Sequence, residues 1–290
     1  MDKAKTKTFP KLKQGAIYIL LIILALLVWW PLWFMLMGSL MSIEELNRTI
    51  GSALTGAEGY SIWPILPSWP TLQPLTALLL DTPHFFTMFW NTFRLVIPSV
   101  LGQLLLGAPA AWALSRFRFR GRKLLATIYI CLMLMPFQVT MVPNFLVIDN
   151  LGIMNTVWAI ILPFAFSAFP VFIMMKGFDA VPYALLEAAN IDGAGYLRTF
   201  MHIGLPLGMP SIMAALVLGF LEVWGAIEQP MTFLSDPSLW PLSLFLPQIV
   251  AEELGLAMAA SLLMLLPAAL FFFFGQKYLE LGIQSSGIKE

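Results

Sequence analysis

The fold class this sequence predicts is an all-α polytopic membrane protein with six transmembrane helices, and three observations predict it. The first is composition: 59% of the 290 residues are apolar and only 11% are charged, with a mean hydropathy of +0.84. A soluble domain carries roughly a quarter charged residues, so the solvent for most of this chain is lipid. The second is the length of the charge-free apolar runs. The third is the segregation of Lys and Arg to alternate connections between those runs.

A bilayer-spanning helix needs about 20 mostly apolar residues. Runs of that length cover residues 14–43, 95–115, 124–148, 150–175 and 254–276, and a sixth covers 203–221 and continues past Glu222 to Ile227. The first run is too long and bulky for a cleaved signal, and no small-residue cleavage site follows it, so the helix over 14–38 is expected to be retained. Residues 39–84 form a long connection rich in turn formers (SWPTLQPL, LLLDTPHFF), expected to be irregular with at most short helices. A permease-like core then occupies 85–276. A basic tail lies at 1–13 and a C-terminal tail at 277–290, both expected to be cytoplasmic.

Orientation follows from the basic residues. With six spans, the N-terminal tail, the Arg116–Lys123 connection, the 177–203 connection with its flanks and the C-terminal tail share one side, and they hold 14 of the 16 Lys and Arg. Glu44, Glu45, Glu58, Asp81, Asp149, Asp236, Glu252 and Glu253 fall on the other. Both termini are therefore expected to be cytoplasmic. Trp29, Trp30, Trp33, Trp90 and Trp158 fall near outer span ends and Trp112 near an inner one, as in an interfacial aromatic belt.

Several function classes are excluded. The net formal charge of zero argues against a nucleic-acid partner, and one cysteine, Cys131, leaves no disulfide framework or cysteine-rich metal site. His84 and His202 are too far apart to build a metal centre. No G-x-x-x-x-G-K-[ST] phosphate loop is present, so the chain is not expected to hold ATP itself, and no catalytic constellation suggests an enzyme.

The informative segment is KGFDAVPYALLEAANIDGAGYLRTFMH, residues 176–202. Pro182 suits the start of a helix, YALLEAAN is strong helix-former sequence, and Asp192-Gly193 is a stop. A short helix, a turn and a second helix leading into the fifth span are expected, either gripped by a partner or lying on lipid headgroups. Prolines 98, 109, 136, 163, 170, 210 and 267 lie inside the spans and imply kinks. The G-x-x-x-G at Gly204–Gly208 encloses Pro206 and is not read as a dimer face.

Glu187-Ala188-Ala189, three residues, Gly193, nine residues, then Ile203-Gly204-Leu205-Pro206 resembles the EAA loop of ABC importer permeases at every defined position. NTFRLVIPSVLGQLLLGAPAAWALSRFRFRGRKLL, MLMPFQVTMVPNFLVIDNLGIMNT and LELGIQSSGIKE resemble the second span, the third span and the tail of carbohydrate permeases, the last being similar to the maltose-type second permease subunit. The resemblance implies the type I ABC importer permease fold and import of a sugar, oligosaccharide or polyol. It also implies a second permease subunit, two ATPase subunits that carry ATP and Mg, and an extracellular solute-binding protein. ATPase coupling would then fall to Glu187, Ala188, Ala189, Asp192, Gly193, Leu205 and Pro206. A permease for a polyamine or phosphate would share the loop, and a secondary transporter would need charge relays or repeated spans that the sequence lacks.

Substrate-path candidates are the ionisable Glu222, the neighbouring Trp224, and Glu228. Glu222 beside an aromatic plane suits sugar hydroxyls, but it equally suits a partner permease or outer water. Arg94 is expected to snorkel. Where carbohydrate permeases carry tryptophan-asparagine before an acid and an aromatic, this chain has Trp224-Gly225-Ala226-Ile227-Glu228, which departs from the pattern.

Overall fold

A computed structural model describes residues 11–55, 61–246 and 253–287; the tail before Lys11, Glu58, Glu252 and Lys289 lie outside the described residues. The described residues are mostly helical, without strands, and the chain divides into two compact units.

The first unit holds residues up to Thr82 and 249–263. Helix α1 (Lys11–Gly38) is exposed on all sides over Ile17–Val28, as a helix surrounded by lipid tails would be. Past the Ser39-Leu40 turn comes α2 (Ile43–Thr55), which the sequence analysis had as part of an irregular segment. Its 13 residues form because Ile43, Leu46 and Ile50 recur at helical spacing and Glu44 and Glu45 occupy the positive N-terminal turn. Leu46 and Ile50 close over Phe34 and Met41 in a small core that also takes Met258. The stretch from Ser61 to Leu72 is irregular but pinned: Trp33 Nε1 donates to Ile65 O at 2.9 Å, Ser68 N donates to Glu45 Oε1 at 2.7 Å, and the Trp63 ring lies 4.8 Å from that of Phe34. Helix α3 (Gln73–Thr76) widens into a π turn at Ala77–Asp81.

The second unit holds Pro83–Gln248 and the chain from Met264. Helix α4 (Pro83–Gly102), a π turn at Gln103–Gly107 and α5 (Ala108–Arg116) make one long span. The expected single third span is instead α6 (Arg122–Leu134) and α7 (Phe137–Asn150), bent by 110° at Met135-Pro136. Proline lacks the N–H the helix needs and forces the preceding residue out of the helical region; Met135 sits at φ −77°, ψ 124°.

The fourth span begins at residue 158 rather than 150, because Gly152 and Asn155 both take positive φ in the intervening turn. It comprises α8 (Trp158–Ala165) and α9 (Ala168–Asp179), interrupted at Phe166-Ser167. Then come α10 (Tyr183–Ile191) and α11 (Tyr196–Thr199), the latter running through a π turn at Phe200–Gly204 into α12 (Leu205–Trp224). The short α13 (Glu228–Phe233) follows, and α14 (Leu254–Gly287) closes the chain. Its first ten residues belong to the first unit and the rest to the second. Among the described residues, five helices are long and apolar enough to cross a membrane, or six if the bent pair counts as one span.

All three π turns end two residues before a proline: Asp81 before Pro83, Gly107 before Pro109, Gly204 before Pro206. The proline ring clashes with the carbonyl four residues back, and an extra residue in that turn relieves the clash.

Small residues let the second unit's helices meet closely, which is how membrane helices associate when lipid is as apolar as the side chains. Gly177 of α9 abuts Ser211 of α12, and Gly208 abuts the Phe178 ring. Gly204 lies under the Trp112 ring, so the Gly204–Gly208 motif is a packing surface inside this chain. Trp112 itself is 4% exposed and sits in a core with Met174, Phe178 and Phe200, not in an interfacial belt. Trp29, Trp90 and Trp158 are exposed.

Candidate functional site

The 176–202 segment folds as its residues dictate. Pro182 stands one place before the first helical residue, at φ −59°, and α10 runs from Tyr183 to Ile191. It ends in a double C-terminal cap: Gly193 N donates to Asn190 O at 3.1 Å and Ala194 N to Ala189 O at 2.9 Å. Gly193 takes φ 75°, the left-handed conformation that only glycine adopts without strain.

Two faces of α10 differ. Leu186 and Ala189 are buried, Leu186 in the cluster formed by Trp112, Phe178 and Phe200. Glu187, Ala188, Asp192 and Gly193 are exposed, as are Tyr183, Leu185 and Ile191, the last at 86%. The outward face thus sets the apolar Leu185 and Ile191 beside two carboxylates, Glu187 and Asp192. Leu205 and Pro206 lie apart from that face, at the start of α12, where Pro206 follows the π turn.

What holds α10 in place was not legible as such. Arg116, the last residue of α5, donates through Nη2 to Phe178 O and, at 2.5 Å, to Val181 O. Ser115 Oγ donates to Asp179 Oδ1 at 2.7 Å. Arg122 donates from Nε to Leu114 O (2.6 Å) and from an Nη to Ser115 O (2.8 Å). Arg122 thus binds carbonyls in the last turn of α5, and Arg116 binds one in the last turn of α9 and one just past it, where the helix dipole is negative. The second span is thereby tied to the backbone immediately ahead of Pro182. Sequence reading assigned these arginines only to membrane orientation; their position just after helix-forming runs was the available signal.

The substrate-path candidates separate. Trp224 is 3% exposed, stacks on Phe220 at 5.5 Å and meets Phe93 edge-on at 5.2 Å, and its Nε1 donates to Met264 O at 3.1 Å. Glu222 is exposed. Two residues apart on a helix, they point about 200° away from each other, so the carboxylate does not lie beside that indole. Glu228, also exposed, accepts from Gln138 Nε2 at 2.6 Å, joining α13 to the bent α6–α7 pair. Gln138 was not singled out in the sequence. Arg94 is exposed on α4.

At the same end of the second unit, Asn155 Oδ1 accepts from Ser235 N and Asp236 N, and Asn91 Nδ2 donates to Ser238 O and Trp240 O. Asp236 accepts from Ser238 N at 2.9 Å, which holds its carboxyl below the usual carboxylate range.

Residues 103–285 match the family described as "Binding-protein-dependent transport system inner membrane component". The chain is 28% identical to the galactooligosaccharides transport system permease protein GanQ of Bacillus subtilis over 94% of both chains. It is 27% identical to the arabinooligosaccharides transport system permease protein AraQ of Halalkalibacterium halodurans, over 77% of this chain and 81% of that one. In fold it is similar, at a TM-score of 0.78 and 23% identity, to a chain of a bacterial ABC transporter involved in the import of the acidic polysaccharide alginate. That likeness covers 94% of this chain and 99% of the other.

Proposed function

From its membership of the family of binding-protein-dependent transport system inner membrane components, a family of multi-pass proteins of the bacterial plasma membrane, we propose that this chain is the permease subunit of an ATP-driven importer for a sugar, oligosaccharide or polyol. The oligosaccharide transport permeases it is similar to, over 94% and 77% of this chain, support that substrate class over a polyamine or phosphate. Hydrolysis belongs to two partner ATPases, which carry ATP and Mg, while a second permease completes the path and a solute-binding protein delivers the cargo.

The observation that carries the mechanism is α10: a short helix with a fixed C-terminal cap, tied by Arg116 to the second span, presenting Glu187 and an apolar face. Seated in an ATPase cleft, such a lever turns closure of the ATPases into movement of the spans between two states. Glu187 anchors it to a basic or backbone donor, and Ala188, Asp192 and Gly193 permit close approach. Ala189 packs inward and positions the helix. Leu205 and Pro206 set its link to the fifth span. Uptake of labelled oligosaccharide into vesicles holding the whole complex tests the function; an assembled complex that binds its delivery protein yet imports no saccharide overturns the substrate class.

The basic side is proposed to be cytoplasmic. Single cysteines at 52, 121, 187 and 238, with Cys131 replaced, are expected to react with an impermeant thiol reagent from outside only at 52 and 238. Labelling at 121 in intact cells overturns the topology.

For the path, Glu222→Gln and Glu228→Gln are expected to raise the KM of uptake while leaving complex yield intact; unchanged kinetics in both removes them from the path. Trp224→Ala has a different expectation. Emptying a packed indole site costs about 3–5 kcal/mol in a protein core, so the yield of assembled complex should fall, and a normal yield would contradict the packing role.

A further inference from the structure

A pocket of about 460 Å³ opens between the end of α5 and helices α10 and α11, lined by Trp112, Arg116, Arg118, Tyr183, Asn190 and Tyr196 among others. Two arginines line it and no acid does. Two N–H groups at its wall are buried with no hydrogen-bond acceptor among the described residues: Trp112 Nε1 and Arg116 Nε. Arg116 spends its Nη2 on the carbonyls of Phe178 and Val181, so its Nε is left over. Trp112 is 96% buried by its 4% exposure, and the far edge of its ring is held against Gly204. Buried donors without acceptors are rare in folded proteins; with two of them behind its wall and two arginines lining it, the pocket suits an oxyanion.

Location selects which one. The pocket sits at the last turn of the apolar span Pro83–Arg116, beside the basic run Arg116–Lys123, where a span meets the headgroups. Its rim is aromatic and outward-facing: Tyr183 is 54% and Tyr196 76% exposed, with Phe117 edge-on to Tyr196 at 5.3 Å. Aromatic side chains with polar tips favour the membrane interface, and basic pockets between membrane helices take anionic headgroups. We propose that this pocket binds the phosphoryl headgroup of an anionic phospholipid from the leaflet on the basic side, and that occupancy steadies α10 through Tyr183 and Asn190. The effect on coupling rests on the permease reading above; the binding itself does not.

The test uses the whole complex with its ATPases and binding protein, in nanodiscs of phosphatidylcholine alone or with phosphatidylglycerol. Native mass spectrometry follows lipid retention, and binding-protein-stimulated ATP hydrolysis follows coupling. Wild type is expected to retain phosphatidylglycerol and to hydrolyse faster in its presence. Arg118→Gln is expected to lose both the retained lipid and the increment, while its rate in phosphatidylcholine stays that of wild type; Trp112→Phe, which keeps the ring but removes the N–H, should also lose the lipid. Retention and increment unchanged in both variants overturn the proposal. So does loss of ATPase subunits from Arg118→Gln in either lipid, which assigns the pocket to the subunit interface. Full reproduction of the increment by inorganic phosphate in phosphatidylcholine also overturns it, since a small anion would then suffice. Absence of stimulated hydrolysis in every lipid counts against the permease reading, and Arg118-dependent lipid retention still upholds the pocket.

Discussion

Gly193→Val and Glu187→Lys are each expected to abolish uptake while leaving the chain in the membrane. Gly193 caps α10 at φ 75°, and a Cβ there would meet no atom within 4 Å among the described residues beyond its chain neighbours. The cost of valine is therefore conformational, about 1 kcal/mol or more for a β-branched residue in the left-handed region. It falls on the double cap that ends the lever, because the Gly193 and Ala194 N–H groups reach Asn190 and Ala189 only from that conformation. The open space around the glycine is also where a docked ATPase would lie, so the added isopropyl group meets the partner instead. Glu187→Lys leaves the fold alone, since the side chain is exposed, but it reverses the charge at the proposed anchor across a partly desolvated contact. The measurement is ATPase activity with and without loaded binding protein, beside co-purification of the ATPase. Normal stimulation with normal retention in both variants would mean that α10 does not couple.

Arg116→Ala is expected to uncouple and destabilise together. Its guanidinium donates to two carbonyls at the end of α9. Hydrogen bonds from a charged donor contribute about 1.5–3 kcal/mol; because the group is partly solvated, the loss for the pair should lie near the lower end, about 2 kcal/mol. The thermal midpoint of the purified complex should drop, and stimulated hydrolysis should fall further than assembly does, because the freed backbone leads directly into Pro182. Arg116→Lys separates charge from geometry. A lysine ammonium is a point donor without the planar fork, so it should retain orientation in the membrane and recover only part of the coupling. Full recovery by lysine would reduce Arg116 to a topological charge.

How far the sequence could be read depended on the kind of information each feature uses. Span number was legible because lipid acts on composition summed over about 20 residues, and such sums survive misplaced boundaries. The third span shows the limit. Pro136 announced a break, but the 110° turn is set by what α7 packs on afterwards, including Phe233 and the Gln138–Glu228 hydrogen bond. Helix α2 is one of the short helices allowed for in the 39–84 connection; its bounds were not legible because its apolar residues are few, and it forms because those few close over α1. The cap at Gly193 was legible, since a left-handed helix end is a local property of glycine.

Side-chain partners were not local. Glu222 and Trp224 stand two places apart and read as neighbours, yet helical rotation sends one outward and the other against Phe220 and Met264 O. Arg116 and Arg122 carry the same charge signal as Arg118 and Arg120, and only the approach of α9 to α5 turns the first into a clamp on Phe178 and Val181. The sequence by itself thus determined what each segment is soluble in, where the backbone must turn or widen, and the spacing of the EAA motif. The tertiary structure decided which polar groups are spent inside the chain and which remain for partners. A hydrogen bond is satisfied within about 3 Å, and residues more than 60 positions apart come within that range only when the helices carrying them pack.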